Sequence, residues 1–406
     1  MSLQTALSGL LGAQTGLNTV SNDLANASTT AFKSQTALFE DVYPASANNV
    51  PGIGTATEGI SSDLTQGNLT ATGNPLDAAI QGNGYFIISN NGTQQYTRDG
   101  AFKLNATTGQ METVNGNAVL GYTSSSGGTV GPIAINTGAM PASASTNLGV
   151  TLNLNSGDAL IPATTPFSET NPASYNQTTS VVTYDSLGNA NRVQLYFTQV
   201  QPGVAGATPT WNVYAQPEQA DGTAVGSPSL LTTLGFNSSG TLASGGSPSP
   251  YTVNWSNGSA NSSLNFNFSG TTLAAQNFAV AGLTNDGYAP GSYSGTSIDS
   301  SGNIISTYTN GQTLTNGTLA LANFLNPEGL TPVSGNIYSA NTSSGQATVN
   351  KPGSGQAGSV SGGNLESSNA STSSLLVSLI QYQQAYQANT SVIQTEQQDG
   401  TRLAQL

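Results

Sequence analysis

The sequence predicts a mixed, mainly β chain, with discontinuous β domains in the middle and paired N- and C-terminal coiled-coil-like α-helices. Three observations carry that expectation. Leucines recur every seven residues at the start, a second heptad pattern fills the end, and the stretch between is rich in Gly, Ser, Thr and Asn with alternating apolar residues.

Over residues 1–30, Leu3, Leu10, Leu17 and Leu24 are spaced by seven, and Ala6, Ala13, Val20 and Ala27 follow each by three. This unbroken a/d pattern predicts one helix with an apolar seam. Gly9, Gly12 and Gly16 oppose it at about 1 kcal/mol each relative to alanine, so about 3 kcal/mol must be recovered from packing. Such a helix is marginal alone, and Gly9 and Gly16, beside the seam, leave room for a partner backbone to come close. An ordinary amphipathic helix on its own core fits the same pattern.

At the other end, Leu375, Leu379, Tyr382, Tyr386, Asn389 and Ile393 alternate spacings of four and three in a Pro-free stretch rich in Gln and Ala. Asn389 at a seam position is a residue type that specifies register at a cost in stability, although a solvent-facing Asn reads the same way. Matching seams at the two ends predict that chain start and chain end pair, and that their exposed faces need neighbours.

Between about 70 and 360, the Gly and Pro content (48 and 18 residues in the whole chain) makes long helices improbable. Expected strands are Gly84 to Ser89, a hairpin of Val181 to Tyr184 with Val193 to Phe197, Trp211 to Tyr214, and Leu264 to Phe268. Short strands with turn signals imply sandwiches or partly open barrels. Residues 31–70 show neither periodicity and read as an extended connector. Gly, Ser and Thr tracts near 123–131, 237–249 and 352–363 read as loops or junctions.

Composition excludes several classes. A length of 406 residues implies more than one domain. Only 6% of residues are charged, and the 6 basic residues against 19 acidic ones are scattered, so neither nucleic acid nor an anionic membrane surface is an expected partner. With no His and no Cys there is no Ser-His-Asp or Cys-His nucleophile and no imidazole or thiolate zinc site, and no lysine follows a serine by three positions to form S-x-x-K. No apolar run is long enough to span a bilayer. The first basic residue is Lys33 and the start lacks a continuous apolar core, so no secretory signal peptide is expected and export would take another route.

The remaining motifs are weak. Gly82 and Gly84 form a G-x-G, but Ile87 replaces the third glycine and a strand pattern follows where a dinucleotide site needs a helix. Asp185 to Asn189 and Asp299 to Asn303 share D-S-x-G-N and read as turns, since neither has calcium-loop spacing. Nothing selects a glycosidase pair from the 19 carboxylates. No catalytic residue, cofactor or metal is expected.

Several blocks are similar to the axial proteins of the bacterial flagellum. These are Ala6 to Leu10, Asn18 to Asn26, and Thr29 to Lys33, with Asn26, Phe32 and Lys33 as motif residues and Ala31 standing where the family usually carries Gly. Gly67 to Leu69, Thr72 to Ile80 and Tyr96 to Phe102 resemble the inner β domain. Tyr184 to Asn189, Asp286 to Gly291, Tyr308 to Gln312 and Leu319 to Phe324 resemble the hook branch in particular, and Gly363 to Asn369 and Gln384 to Thr390 resemble its C-terminal helix, with Ala370-Ser371 replacing the usual acidic and apolar pair. The resemblance implies a terminal helical domain at 1–30 and 365–406, the connector at 31–70, an inner β domain at 71–147 and 284–364, and an outer β domain at 148–283. It also implies an extracellular homopolymer, a hollow bendable tube that transmits torque. Implied partners are further copies of itself, a hook cap protein, the distal rod protein, hook-filament junction proteins and the flagellar type III export apparatus. Assembly residues would be Leu3, Leu10, Leu17, Val20, Leu24, Leu375, Leu379, Tyr382, Tyr386, Asn389 and Ile393. A distal rod subunit, or a secreted β-rich adhesin, are the alternatives.

Overall fold

The computed structural model describes residues 2–43, 52–123, 128–162, 164–200, 210–403 and 405. Among them the heptad segments are the two α-helices, α1 at Ser2–Ala25 and α2 at Thr372–Leu403, and the regular elements between them are β-strands apart from two short 3-10 helices. The mainly β architecture with helical ends is thus the predicted one. The chain divides into two compact units, one of residues 1–137, 295–307 and 313–406, the other of 138–294 and 308–312.

In the first unit α1 and α2 run side by side, and α1 also packs on an antiparallel hairpin of β1 (Gln35–Val42) and β2 (Gly54–Ser62). That hairpin lies where the sequence suggested a connector without periodicity. A register shift between Leu38 and Phe39 breaks the alternation, and most of its residues are exposed or half-buried, so no period-2 pattern of burial is written into it. The β body follows. Strand Tyr85–Asn90 pairs with Thr93–Thr97, Ala118–Thr123 and Leu321–Asn323. Its core holds Tyr85, Ile87, Tyr96, Leu120 and Ala322, with Phe324 meeting Tyr85 and Tyr96 edge-on at 6.0 and 4.7 Å. Burial pushes the Tyr85 phenol up to about 12.

The second unit is a sandwich. One sheet is the antiparallel series Gln177–Tyr184, Ala190–Val200, Thr210–Glu218, Ser229–Phe236 and Leu242–Ser244. The other is built around Asn147–Asn155, flanked by Ser262–Asn267, Thr272–Ala274 and Ala279–Asn285. Inward residues alternate along the strands, so Leu148, Val150, Leu152 and Leu154 meet Val193, Leu195, Phe197, Trp211 and Phe266 in one core. The expected hairpin pairs Val181 with Val193 and Tyr184 with Ala190. Both D-S-x-G-N segments are turns: Asp185 Oδ1 accepts from Leu187 and Asn189 N–H, and Asp299 Oδ1 from Ser301 and Asn303 N–H.

All three tracts expected as loops hold strand residues: Leu242–Ser244, Ser359–Gly362, which pairs with Ala78–Gln81, and Val130–Pro132, which overlaps the end of its tract and pairs with Ala118–Thr123. At Ser359–Gly362 long-range pairing overrides the weak local preference of Gly and Ser, whereas Leu242–Ser244 pairs with its near neighbours Gly235 and Phe236. In the third tract, residues 124–127 lie outside the described residues.

Candidate assembly site

With no group of three or more metal-ligating residues among the described residues, the features taken as a candidate site are the helical ends and what ties them to the β body. The pairing of α1 and α2 follows from two glycines. A Cβ at Gly9 would lie 2.9 Å from the Asn389 amide, and one at Gly16 would lie 2.4 Å from the Tyr382 ring. Gly9 and Gly16 are a heptad apart and so are Tyr382 and Asn389, so the helices are antiparallel with two side chains seated in two glycine notches. The sequence suggested that these glycines admit a partner backbone; they admit side chains instead.

The predicted seam of α2 is its inner stripe. Leu375, Leu379, Tyr382, Tyr386, Asn389 and Ile393 are all half-buried, and no described residue of α2 is fully buried. On α1 the outcome is different. Val20 is buried with Ala6 and Ala13, whereas Leu10, Leu17 and Leu24 are half-buried and Leu3 is exposed. The cause is a second neighbour. Gly12 lies against Phe39 and Thr55, Ser8 Oγ accepts from Thr55 N–H at 3.2 Å, and Thr5 Oγ1 donates to Ile53 O, so small residues hold the most enclosed face. Exposed apolar side chains remain on both helices: Leu7 and Leu11 on α1, and Leu376, Val377, Ile380 and Val392 on α2.

The chain leaves α1 through the motif residues. Asn26 Nδ2 donates to Asn22 O and Asn26 Oδ1 accepts from Thr29 Oγ1, closing the helix end. Ala31 then turns the chain at φ +57 while its N–H donates to Glu366 O at 2.7 Å. Phe32 is buried, and Lys33 reaches a carboxylate from the far end of the sequence.

That carboxylate, Glu366, has a fully buried side chain. Oε1 accepts from Lys33 Nζ at 2.6 Å and Gly67 N–H at 3.0 Å, and Oε2 from Arg98 Nε at 2.8 Å. Lys33 also donates to Thr65 O, and Arg98 to Gly82 O and Gly84 O. Burial alone would raise the Glu366 carboxyl, but Arg98 and Lys33 outweigh it and hold it below its ordinary value. Burial pulls the Lys33 ammonium down against the pull of Glu366. Asn369 completes the joint, accepting from Ser34 N–H at 2.8 Å and donating to Asp63 O. Asp23, fully buried near the end of α1, accepts from Gln35 N–H, and burial raises its carboxyl.

Sequence reasoning named Lys33 but missed the partnership. Arg98 and Glu366 stood in quoted blocks, and the signal available was scarcity, because a chain with only six basic residues places Arg98 in a segment read as β domain.

Two helical ends paired with each other and tied to a β body, with apolar residues left facing outward, are the arrangement of a structural subunit. A family model described as the flagellar hook protein FlgE/F/G D1 domain matches residues 79–151. One described as the flagellar basal body protein FlaE D2 domain matches 153–288, and one described as the flagellar basal body rod FlgEFG protein C-terminal matches 361–406. The chain is 36% identical to the flagellar hook proteins FlgE of Salmonella typhimurium and Escherichia coli, in each case over 98% of both chains. Its fold is similar to the crystal structure of Helicobacter pylori flagellar hook protein FlgE2, with TM-score 0.54 over 74% of this chain and 99% of that one at 15% identity. The chain belongs to the flagellar hook protein family and is a structural subunit of the hook, in the external flagellum.

Proposed function

We propose that many copies of this chain form a curved, hollow, bendable tube that carries motor torque from rod to filament as a universal joint. The observation that carries the reading is the helical pair, which buries only one stripe of α2 and leaves apolar side chains of both helices outward. Such helices gain their remaining stability from neighbours. In this reading the ends at 1–30 and 365–406, paired with each other through the named seam residues, bundle with those of neighbouring copies around a channel, the segment 31–70 braces adjacent copies, the body at 71–147 and 284–364 forms an inner layer, and 148–283 the outer shell.

Bending requires outer contacts that exchange as each row of subunits shortens and lengthens. Surfaces of Ser, Thr, Asn and Gly suit this, because wet polar contacts trade partners at little cost. The distal rod protein, a cap protein, hook-filament junction proteins and the type III export apparatus are the partners this role calls for. Immunogold electron microscopy with antibody against residues 150–280 tests it. Gold on a short curved segment at the filament base is expected; gold scattered over the envelope overturns the reading.

A further inference from the structure

Asp23 stands in the last turn of α1, and its side chain is fully buried. Oδ2 accepts from the N–H of Gln35, the first residue of β1, at 2.8 Å, so the carboxyl closes the passage of residues 24–34 that carries the chain from helix to hairpin. Oδ1 is buried as well and meets no hydrogen-bond partner among the described residues.

Charge on this carboxyl is opposed in three ways. Burial strips its water, one oxygen lacks a donor, and the last turn of a helix carries the negative end of the dipole. No countercharge relieves it. Lys33 and Arg98 are both spent on Glu366, at 2.6 and 2.8 Å. α1 has no other ionisable side chain. On α2, where the notches set 9 against 389 and 16 against 382, residue 23 is level with Leu375; Tyr382, Tyr386, Glu396, Asp399 and Arg402 all lie further along. The hairpin and its ends bring Glu40, Asp41, Tyr43, Glu58 and Asp63, all exposed and none of them basic. Glu328 and Tyr338 line the cavity beside Gln35. Burial accordingly raises the Asp23 carboxyl above its ordinary value.

We propose that Asp23 is a proton-operated latch at the root of the helical pair: neutral, it seats in the interior and holds Gln35; ionised, it draws water inward and loosens the passage from α1 to β1. Its sense is opposite to that of the Glu366 joint. The Glu366 contribution is lost as pH falls through its folded value, whereas the Asp23 contribution is full below the unfolded value and is lost as pH rises through the folded one. Together they make this passage tightest in mild acid. The latch belongs to the single subunit and does not rest on the hook reading.

Hydrogen exchange of the unassembled full chain tests it, read by mass spectrometry on peptides covering residues 24–36 and corrected for the intrinsic rate. Between about pH 4.5 and pH 8 the native chain is expected to lose protection there by roughly threefold or more, since each unit of displacement of a carboxyl is worth about tenfold. Peptides from the core of the second unit serve as control. Asp23→Asn keeps the shape, cannot ionise and leaves the Glu366 joint in place. Its protection is expected to match the native chain in mild acid, to exceed it near neutral pH, and to stay flat between. Native protection that holds constant, or that falls equally in both chains, overturns the latch. So does an Asn variant that is less protected than the native chain near neutral pH or that fails to fold, because the amide is the nearest uncharged copy of the protonated side chain.

Discussion

Changing Glu366 to Gln keeps the side-chain shape but removes the charge that faces Lys33 and Arg98 in the interior. The two cations are not equally stranded. Arg98 retains Gly82 O at 3.1 Å, Gly84 O at 3.0 Å and Ile80 O, whereas Lys33 retains only Thr65 O at 2.6 Å. Removing one partner from a buried ion pair typically costs about 3–5 kcal/mol. For a unit of more than about 200 residues this lowers the melting temperature by roughly 6–20 °C. Thermal unfolding of unassembled protein followed by circular dichroism reads it, with the second unit, which has its own core, as internal control. Adding Lys33→Met removes the more stranded amine and is expected to recover at least about half of the loss. A loss below about 1 kcal/mol, or a double variant no better than the single one, refutes the argument. The pH dependence has a definite sign. The folded Glu366 carboxyl lies below its unfolded value, so its contribution is full above the unfolded value and is lost as pH falls through the folded one. The gap between native and Gln variants therefore narrows in acid.

Three further expectations follow from particular residues. Gly16→Ala gains about 1 kcal/mol of helix propensity, yet its Cβ would stand 2.4 Å from the Tyr382 ring; helix melting should fall, and recover in combination with Tyr382→Ala, whereas a rise in the single variant removes the notch from the account. At Ala31, buried at φ +57, Gly trades strain relief against a lost methyl and greater chain entropy, so stability should move by less than about 1 kcal/mol, while Val should cost about 2 kcal/mol or more in a denaturant titration. Burial would raise the Asp286 carboxyl, but hydrogen bonds from the side chains and N–H groups of Thr146 and Asn147 bring it down to about 2. Its contribution is present above the unfolded carboxylate value and lost as pH falls toward 2, so Asp286→Asn should flatten the acid unfolding of the second unit between about pH 4 and pH 2; an unchanged acid limb counts against this clasp.

What was legible in the sequence was what repeats. Heptad spacing located both helices, and its six positions on α2 are all half-buried, although Ser378 and Thr390, which the spacing did not name, are half-buried too. On α1 the same spacing named both halves of the seam, and only Ala6, Ala13 and Val20 are buried while the leucines are half-buried or exposed, since a helix packed on both α2 and the β1–β2 hairpin answers to two faces at once. Alternation found the strands of the second unit, where inward and outward residues differ, and failed on β1 and β2, whose sides are both largely open. The ion-pair joint was invisible for a different reason. Its members lie 333 and 268 positions apart, and no local pattern encodes a contact at that range.

Scarce charge explains how that joint bears on the folding of the subunit. Two of the six basic residues are buried on a carboxylate contributed by the last tenth of the chain, just before α2. Desolvating three charged groups is unfavourable until all of them meet, so a half-formed joint is worse than none. The start of the chain, the β body and the approach to α2 must therefore arrive together. Once they do, Lys33 fixes where the chain leaves α1 and Glu366 fixes where it enters α2, and the glycine notches set their register. The exposed stripes of a pair held in this way have one relative position, which is the condition for every copy to offer its neighbour the same surface. The chain thus places its strong buried electrostatic contacts inside the subunit, while the outward faces of both helices carry uncharged apolar residues, Leu7 and Leu11 on α1 and Leu376, Val377, Ile380 and Val392 on α2.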